Sequence, residues 1–99
     1  MNRFEGKVCL ITGATKGIGY SIAERIGDEK GIVIICSRRQ ENVTESMELL
    51  KKKNIKCHGI VCNVGKKDER TKLIDFITTK YGKLDVLVPN AAVSTHFGS

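Results

Sequence analysis

The chain holds little of what would mark a specialised binding surface. Among its 99 residues there is no tryptophan, and there are three phenylalanines, two tyrosines and one proline. So few rings cannot form the stacking platforms that bind bases, although a net charge of +6 raises the question. The charge has a plainer source. Lys51, Lys52 and Lys53 close a predicted helix, where cations complement the negative end of its dipole, and Lys66-Lys67 form a second local cluster. No nucleic-acid partner is expected. Nor is a membrane span, since no apolar run approaches the ~20 residues that cross a bilayer. Met1 to Lys7 lead straight toward the first strand, so no signal peptide or presequence is expected. Phe97-Gly98-Ser99 is not a peroxisomal tripeptide. Repeats, linkers and low-complexity stretches are absent.

The four cysteines, at 9, 36, 57 and 62, form no C-x-x-C pair. They fall on predicted strands or strand ends and read as small, buried, reduced side chains. Cys36 and Cys62 end neighbouring strands and are placed to approach one another. A reducing, intracellular compartment is expected, with cytoplasm, mitochondrion and peroxisome equally open. There is no H-x-x-H or Cys/His metal spacing and no G-x-S-x-G nucleophile elbow. His58 alternates with apolar neighbours and reads as structural; His96 has no partner in the sequence.

What the chain does have is alternation. Val8–Thr12 is a continuous apolar strand of the kind buried on both faces of a parallel sheet. Ile18, Ile22, Ala23 and Ile26 share a helical face that ends near Asp28. A β-branched run, Ile32–Cys36, makes the second strand. Val43, Met47 and Leu50 space a helix from Glu41 to Lys53, with Asn54 as its end cap. Lys56–Cys62 is the third strand. Lys67–Tyr81 is a helix turning Leu73, Ile74, Ile77 and Tyr81 inward, stopped by Gly82. Leu84–Val88 is the fourth strand, with Pro89 expected to end its ladder. Strand–helix–strand units of this kind build a single doubly wound α/β domain.

Between the first strand and the first helix stand Gly13, Gly17 and Gly19, spaced G-x-x-x-G-x-G. Such a corner faces the free N–H groups and positive dipole end of a helix outward, which suits phosphate. Gly13 allows the sharp turn, and Gly17 and Gly19 let a pyrophosphate and the strand approach the backbone.

The pattern Thr12-Gly13-x-x-x-Gly17-Ile18-Gly19, followed after the fourth strand by Leu87-Val88-Pro89-Asn90-Ala91-Ala92, resembles the short-chain dehydrogenase/reductase family. The segments from Cys36 to Val43 and from Val64 to Arg70, with Asn90 to Val93, are similar to its branch of NADPH-dependent retinal and carbonyl reductases. The resemblance covers essentially the whole chain. It implies an incomplete Rossmann-type sheet, β-α-β-α-β-α-β in the order 3-2-1-4, with residues 1–99 as the N-terminal part of one NADP(H)-binding domain. In that order Gly13–Gly19 and Asn90–Ala92 converge at the topological switch point between strands 1 and 4.

The cofactor expected is NADP(H). NAD enzymes carry a carboxylate after the second strand for the ribose 2′-hydroxyl, where this chain reads Cys36-Ser37-Arg38-Arg39. Ser37 offers a hydroxyl and Arg38 and Arg39 offer cations to a 2′-phosphate, with Lys16 approaching from the glycine loop. The resemblance implies that Asn63-Val64 lie beside the adenine, Asn63 replacing the usual Asp and offering both donor and acceptor. It also implies backbone contacts from Gly13, Thr15, Lys16, Gly17, Ile18 and Gly19, and from Asn90, Ala91 and Ala92. Pro89 and Ala92 depart from the family's N-N-A-G. No catalytic residue is expected here: the family's Tyr-x-x-x-Lys is missing, as Tyr20 is followed by Glu24 and Tyr81 by Asp85. The implied whole is a homo-oligomer, a tetramer by resemblance, acting on a small carbonyl or alcohol. The alternative left open is a truncated, non-catalytic product that binds at most nucleotide or a protein partner.

Overall fold

The computed structural model describes residues 3–13 and 17–90. Thr15, Lys16, Ala91, Ala92 and His96 lie outside the described residues. Seven elements follow one another as β1 (Val8–Thr12), α1 (Gly17–Asp28), β2 (Ile32–Ser37), α2 (Gln40–Lys52), β3 (Cys57–Val61), α3 (Lys67–Tyr81) and β4 (Val86–Pro89). The strands form one sheet in the order β3-β2-β1-β4, every neighbouring pair parallel. This is the Rossmann-type arrangement, with four of its parallel strands among the described residues.

Side-chain alternation along the strands divides the core in two. On one face Cys9, Ile11, Val33 and Ile35 pack with Ala23 and Ile26 of α1 and Leu50 of α2. On the other, Val8, Leu10, Ile34 and Cys36 pack with Leu73 and Ile77 of α3. β1 and β2 serve both faces, and all five residues of β1 are buried.

Two glycines allow the α1–α2 layer to lie close. A Cβ on Gly59 of β3 would run into Val43 and Met47 of α2, and one on Gly27 would run into Ile55. The chain leaves α2 through Asn54 at φ 62° and leaves α3 through Gly82 at φ 80°, both left-handed.

The structure departs from the sequence expectation in three instructive places. β4 starts two residues later than Leu84, because Leu84 packs under α3 and Asp85 is used as a clamp. Pro89 does not stop the ladder: it is the last residue of β4, in register with Thr12. A proline is tolerated there because β4 pairs on one side only, so its missing N–H breaks no bond. Ile18, expected to point inward, is 74% exposed. It stands in the first turn of α1 over an open groove of about 780 Å³ shared with Phe4, Ile22, Val86 and Val88.

Two polar anchors were not foreseen. Val8 N–H donates to the Asp85 carboxylate (2.7 Å) while Asp85 N–H donates to the Val8 carbonyl (2.9 Å), locking the entry of β4 onto β1. That bond, with Lys83 Nζ at 3.2 Å, holds the Asp85 carboxyl below the usual range. Glu29, buried just past α1, is neutralised by Arg25 Nε at 2.7 Å and Arg3 Nε at 3.1 Å. These bonds lower its pKa as well. No helix among the described residues is long and apolar enough to cross a membrane.

Candidate dinucleotide site

The carboxyl ends of β1, β2 and β4 meet at Gly13. Its N–H donates to the Cys36 carbonyl (3.0 Å), tying the turn to the end of β2. On the opposite side Asn90 N–H donates to Thr12 Oγ1 (3.0 Å), and Asn90 Nδ2 points at the Gly13 carbonyl at 3.4 Å. The last of these is at the long limit of a useful bond, so the Thr12 hydroxyl does most of the holding. Residues 78 positions apart in sequence are thereby brought into one crevice.

The crevice is shaped for an anion. Gly13 and Gly17 have φ of 65° and 59°, which a side chain would strain, and the space beside Gly17 is open. Gly19 is buried in the first turn of α1. That turn holds no acidic residue, whereas α2 has Glu41 and α3 has Asp68 and Glu69 in theirs. Of these three helix starts, only that of α1 keeps its positive end uncompensated by its own side chains.

At the end of β2 the chain turns through Ser37, Arg38 and Arg39. Ser37 Oγ accepts a long 3.4 Å bond from Arg39 N–H, and Arg39 serves as N-cap of α2 without a side-chain cap. Arg38 and Arg39 are exposed, and neither is held in an ion pair among the described residues. No carboxylate sits in this turn. Cys36 just behind it is inert: burial pushes its thiol up to about 11, and neighbouring Cys62 adds to the shift. Both cysteines are free.

The turn after β3 is held from below by α3. Asn63 N–H donates to the Glu69 carboxylate (2.8 Å), and the Arg70 guanidinium donates to the Val64 carbonyl (2.8 Å). Asn63 Oδ1 accepts from Gly65 N–H at 2.9 Å, closing a local turn. Asn63, expected to offer both a donor and an acceptor, thus spends one of the two lone pairs of its carbonyl oxygen inside the turn. The sequence signal that was missed is Asn followed two residues later by Gly, a common turn-forming pair.

Among the described residues, His58, Tyr20 and Tyr81 are engaged elsewhere in the fold. His58 stacks tilted on Phe76 at 4.9 Å, and burial, helped by Lys80 and Lys51, lowers its pKa. Tyr20 packs against the core below α1, and Tyr81 carries Lys80 over its ring at 5.7 Å. Burial raises the pKa of both phenols. An apolar groove of about 530 Å³ lies beside β4, lined by Leu10, Thr12, Val64, Leu73 and Leu87.

A glycine turn with positive φ, an uncompensated helix start and a bridge between the ends of β1 and β4 are now in view, and comparison with known proteins names them. The short chain dehydrogenase family model matches residues 7–99. The chain belongs to the short chain dehydrogenase family. It is 50% identical over 92 residues to tropinone reductase-like 3 of Erythroxylum coca, covering 93% of this chain and 36% of the relative. It is 48% identical over 97 residues to dehydrogenase/reductase SDR family member 4 of Caenorhabditis elegans, covering 97% and 37%. A crystal structure of an actinorhodin polyketide ketoreductase variant with NADPH is similar at 38% identity and TM-score 0.83, over 86% of this chain and 33% of that one. The chain thus spans about a third of the length of these relatives.

Proposed function

We propose that this short chain dehydrogenase segment is the dinucleotide-holding part of an NADP(H)-dependent oxidoreductase that interconverts carbonyls and alcohols. The observation that carries the cofactor choice is the end of β2: half-buried Ser37 and exposed Arg38 and Arg39 follow the strand end that holds the Gly13 turn, with neither guanidinium in an ion pair among the described residues and no carboxylate in the turn. A 2′-phosphate finds cations there and an anion finds no repulsion, whereas a bare 2′-hydroxyl lacks its usual acceptor. The ketoreductase structure with NADPH supports the same choice.

The residues present fit the group. The open space at Gly17 and the acid-free first turn of α1 suit the pyrophosphate, and Asn90 backs the crevice from β4. When bound, the nicotinamide of such a cofactor supplies or accepts hydride. The described residues bind and orient; the Tyr–Lys pair that would supply the proton for carbonyl reduction is not among them. A small carbonyl or alcohol as substrate, a homo-oligomer as working form and a reducing compartment belong to the same reading. The four free cysteines, three of them buried, support the last.

Titration with NADPH and NADH tests the choice. The native protein is expected to bind NADPH at least tenfold more tightly, and Arg38→Asp to erase or invert the ratio by placing an anion against the phosphate. Equal affinities in the native protein would overturn the assignment.

A further inference from the structure

Every strand of the sheet runs the same way, so the residues just before each strand gather at one end, opposite the dinucleotide crevice. That end is lined with lysines. Lys7 precedes β1, Lys30 precedes β2, Lys56 precedes β3, and Lys51 and Lys52 close α2 beside them. All five are exposed, and none is in an ion pair among the described residues. The acids at the same end are largely taken: Glu29 by Arg3 and Arg25, Asp28 by Lys53, and Asp85 by Lys83. The negative end of the α2 dipole accounts for Lys51 and Lys52. Lys7, Lys30 and Lys56 belong to no helix. Lys30 has φ 70°, where glycine or asparagine would be at ease, so a lysine there carries its charge at a conformational cost. Its turn is fixed by Lys30 N–H on the Gly27 carbonyl and Gly31 N–H on the Ile26 carbonyl, both at 3.0 Å. Lys30 and Lys56 line a cup of about 340 Å³ with Gly6, Gly31, Asn54 and Glu5.

We propose that this lysine end is a docking surface for an anionic lipid bilayer, its headgroup phosphates meeting the free ammoniums around the cup between Lys30 and Lys56. The composition of the end selects that partner. The turns 29–31, 53–56 and 82–85 expose no aromatic and no large apolar side chain. A protein partner is held by such anchors, and the centres of protein interfaces are poor in lysine. The same turns are too short to enter a nucleic-acid groove, and they offer no ring on which a base could stack. A bilayer asks for neither. It presents a plane of phosphates, and compact ammonium charges on flexible stems reach it without a fixed geometry. Attachment of this kind is peripheral, and it leaves the crevice, at the other end of the same sheet, turned away from the lipid.

In the test, the protein encoded by the full reading frame is sedimented with vesicles of phosphatidylcholine, either alone or with roughly one-third phosphatidylserine. Native protein is expected on the anionic vesicles only. It should leave them as salt rises from about 0.1 M to about 1 M, where the screening length falls from ~10 Å to ~3 Å. Each lysine near such a surface contributes about fivefold in partitioning. Lys30→Asn with Lys56→Gln is therefore expected to weaken binding tenfold or more. Asparagine suits the left-handed turn, so this variant should keep its fold, which its urea midpoint checks. Should it unfold, Lys7→Gln with Lys51→Gln makes the same test. Lys67→Gln with Lys72→Gln removes equal charge from α3, farther than a screening length from the docked end, and is expected to bind within about threefold of native. Native protein that ignores anionic vesicles overturns the proposal, and so does full binding by Lys30→Asn with Lys56→Gln. Equal loss in the α3 variant also overturns it, since net charge alone would then be responsible. Capture by duplex RNA in preference to the vesicles would assign the surface to a different partner and overturn it as well.

Discussion

Replacing Thr12 by valine removes one oxygen and leaves the shape nearly unchanged, so it isolates the bridge between the ends of β1 and β4. Thr12 is 7% exposed, and its Oγ1 is the hydrogen-bond acceptor for Asn90 N–H at 3.0 Å. Without it that N–H keeps no protein partner, because the other link, Asn90 Nδ2 to the Gly13 carbonyl, uses a different atom and spans 3.4 Å. An orphaned buried N–H costs about 1–3 kcal/mol. Asn90 is half-buried, so water recovers part of this, and the expected loss is about 1–2 kcal/mol. If the bridge sets the binding-competent crevice, the same energy appears in affinity, since about 1.4 kcal/mol is a tenfold change in Kd. Urea unfolding with an unchanged slope should therefore show a lowered midpoint, and NADPH should bind roughly tenfold more weakly by calorimetry. Thr12→Ser keeps the oxygen and should retain most of both. Unchanged midpoint and affinity in Thr12→Val, or equal damage from Thr12→Ser, would refute the role given to this hydroxyl.

Gly59→Ala should cost about 1–3 kcal/mol in denaturant unfolding, because its Cβ meets Val43 and Met47 inside a packed layer; a neutral outcome would mean that α2 shifts freely. Acidification should weaken the fold through Asp85. Its pKa is lowered on folding, so its contribution is complete above the ordinary carboxylate range of about 4 and drains away as pH falls through the lower folded value. Asp85→Asn should flatten that acid limb when unfolding midpoints are compared between about pH 6 and 3, and superimposable limbs would argue against the clamp. Cys36, buried and with its pKa pushed up to about 11, should resist thiol reagents at neutral pH until the protein is denatured. Rapid labelling of native Cys36, read by mass spectrometry, would contradict this.

Much of the architecture was written in local pattern. A parallel strand covered on both faces must be apolar at successive positions, and Val8–Thr12 and Ile32–Cys36 show that run directly. The helical period of Leu73, Ile77 and Tyr81 fixed α3 to the residue, since Gly82 adopts the left-handed conformation that ends it. The glycine spacing and the basic turn after β2 marked the crevice in the same way. Each of these signals depends on residues within a few positions of one another, which is why sequence alone carries them.

What depended on contacts across the chain was not legible. Asp85 reads as an ordinary surface acid until Val8, 77 residues away, donates to it. Glu29 looks solvated until Arg3 and Arg25 close over it. Ile18 fits the apolar face of α1 by period, yet it is exposed, because no described element covers the groove beyond that first turn. Pro89 looks like a ladder stop, but the one-sided pairing of β4 lets it lie opposite Thr12. The motif at Thr12 and Gly13 says that a phosphate corner exists; only the fold decides that Asn90 completes it, and that the Asn63 carbonyl oxygen uses one lone pair inside its own turn. Periodicity fixes which face a residue belongs to, whereas burial, pairing and the orientation of a polar side chain depend on what the rest of the chain brings against that face.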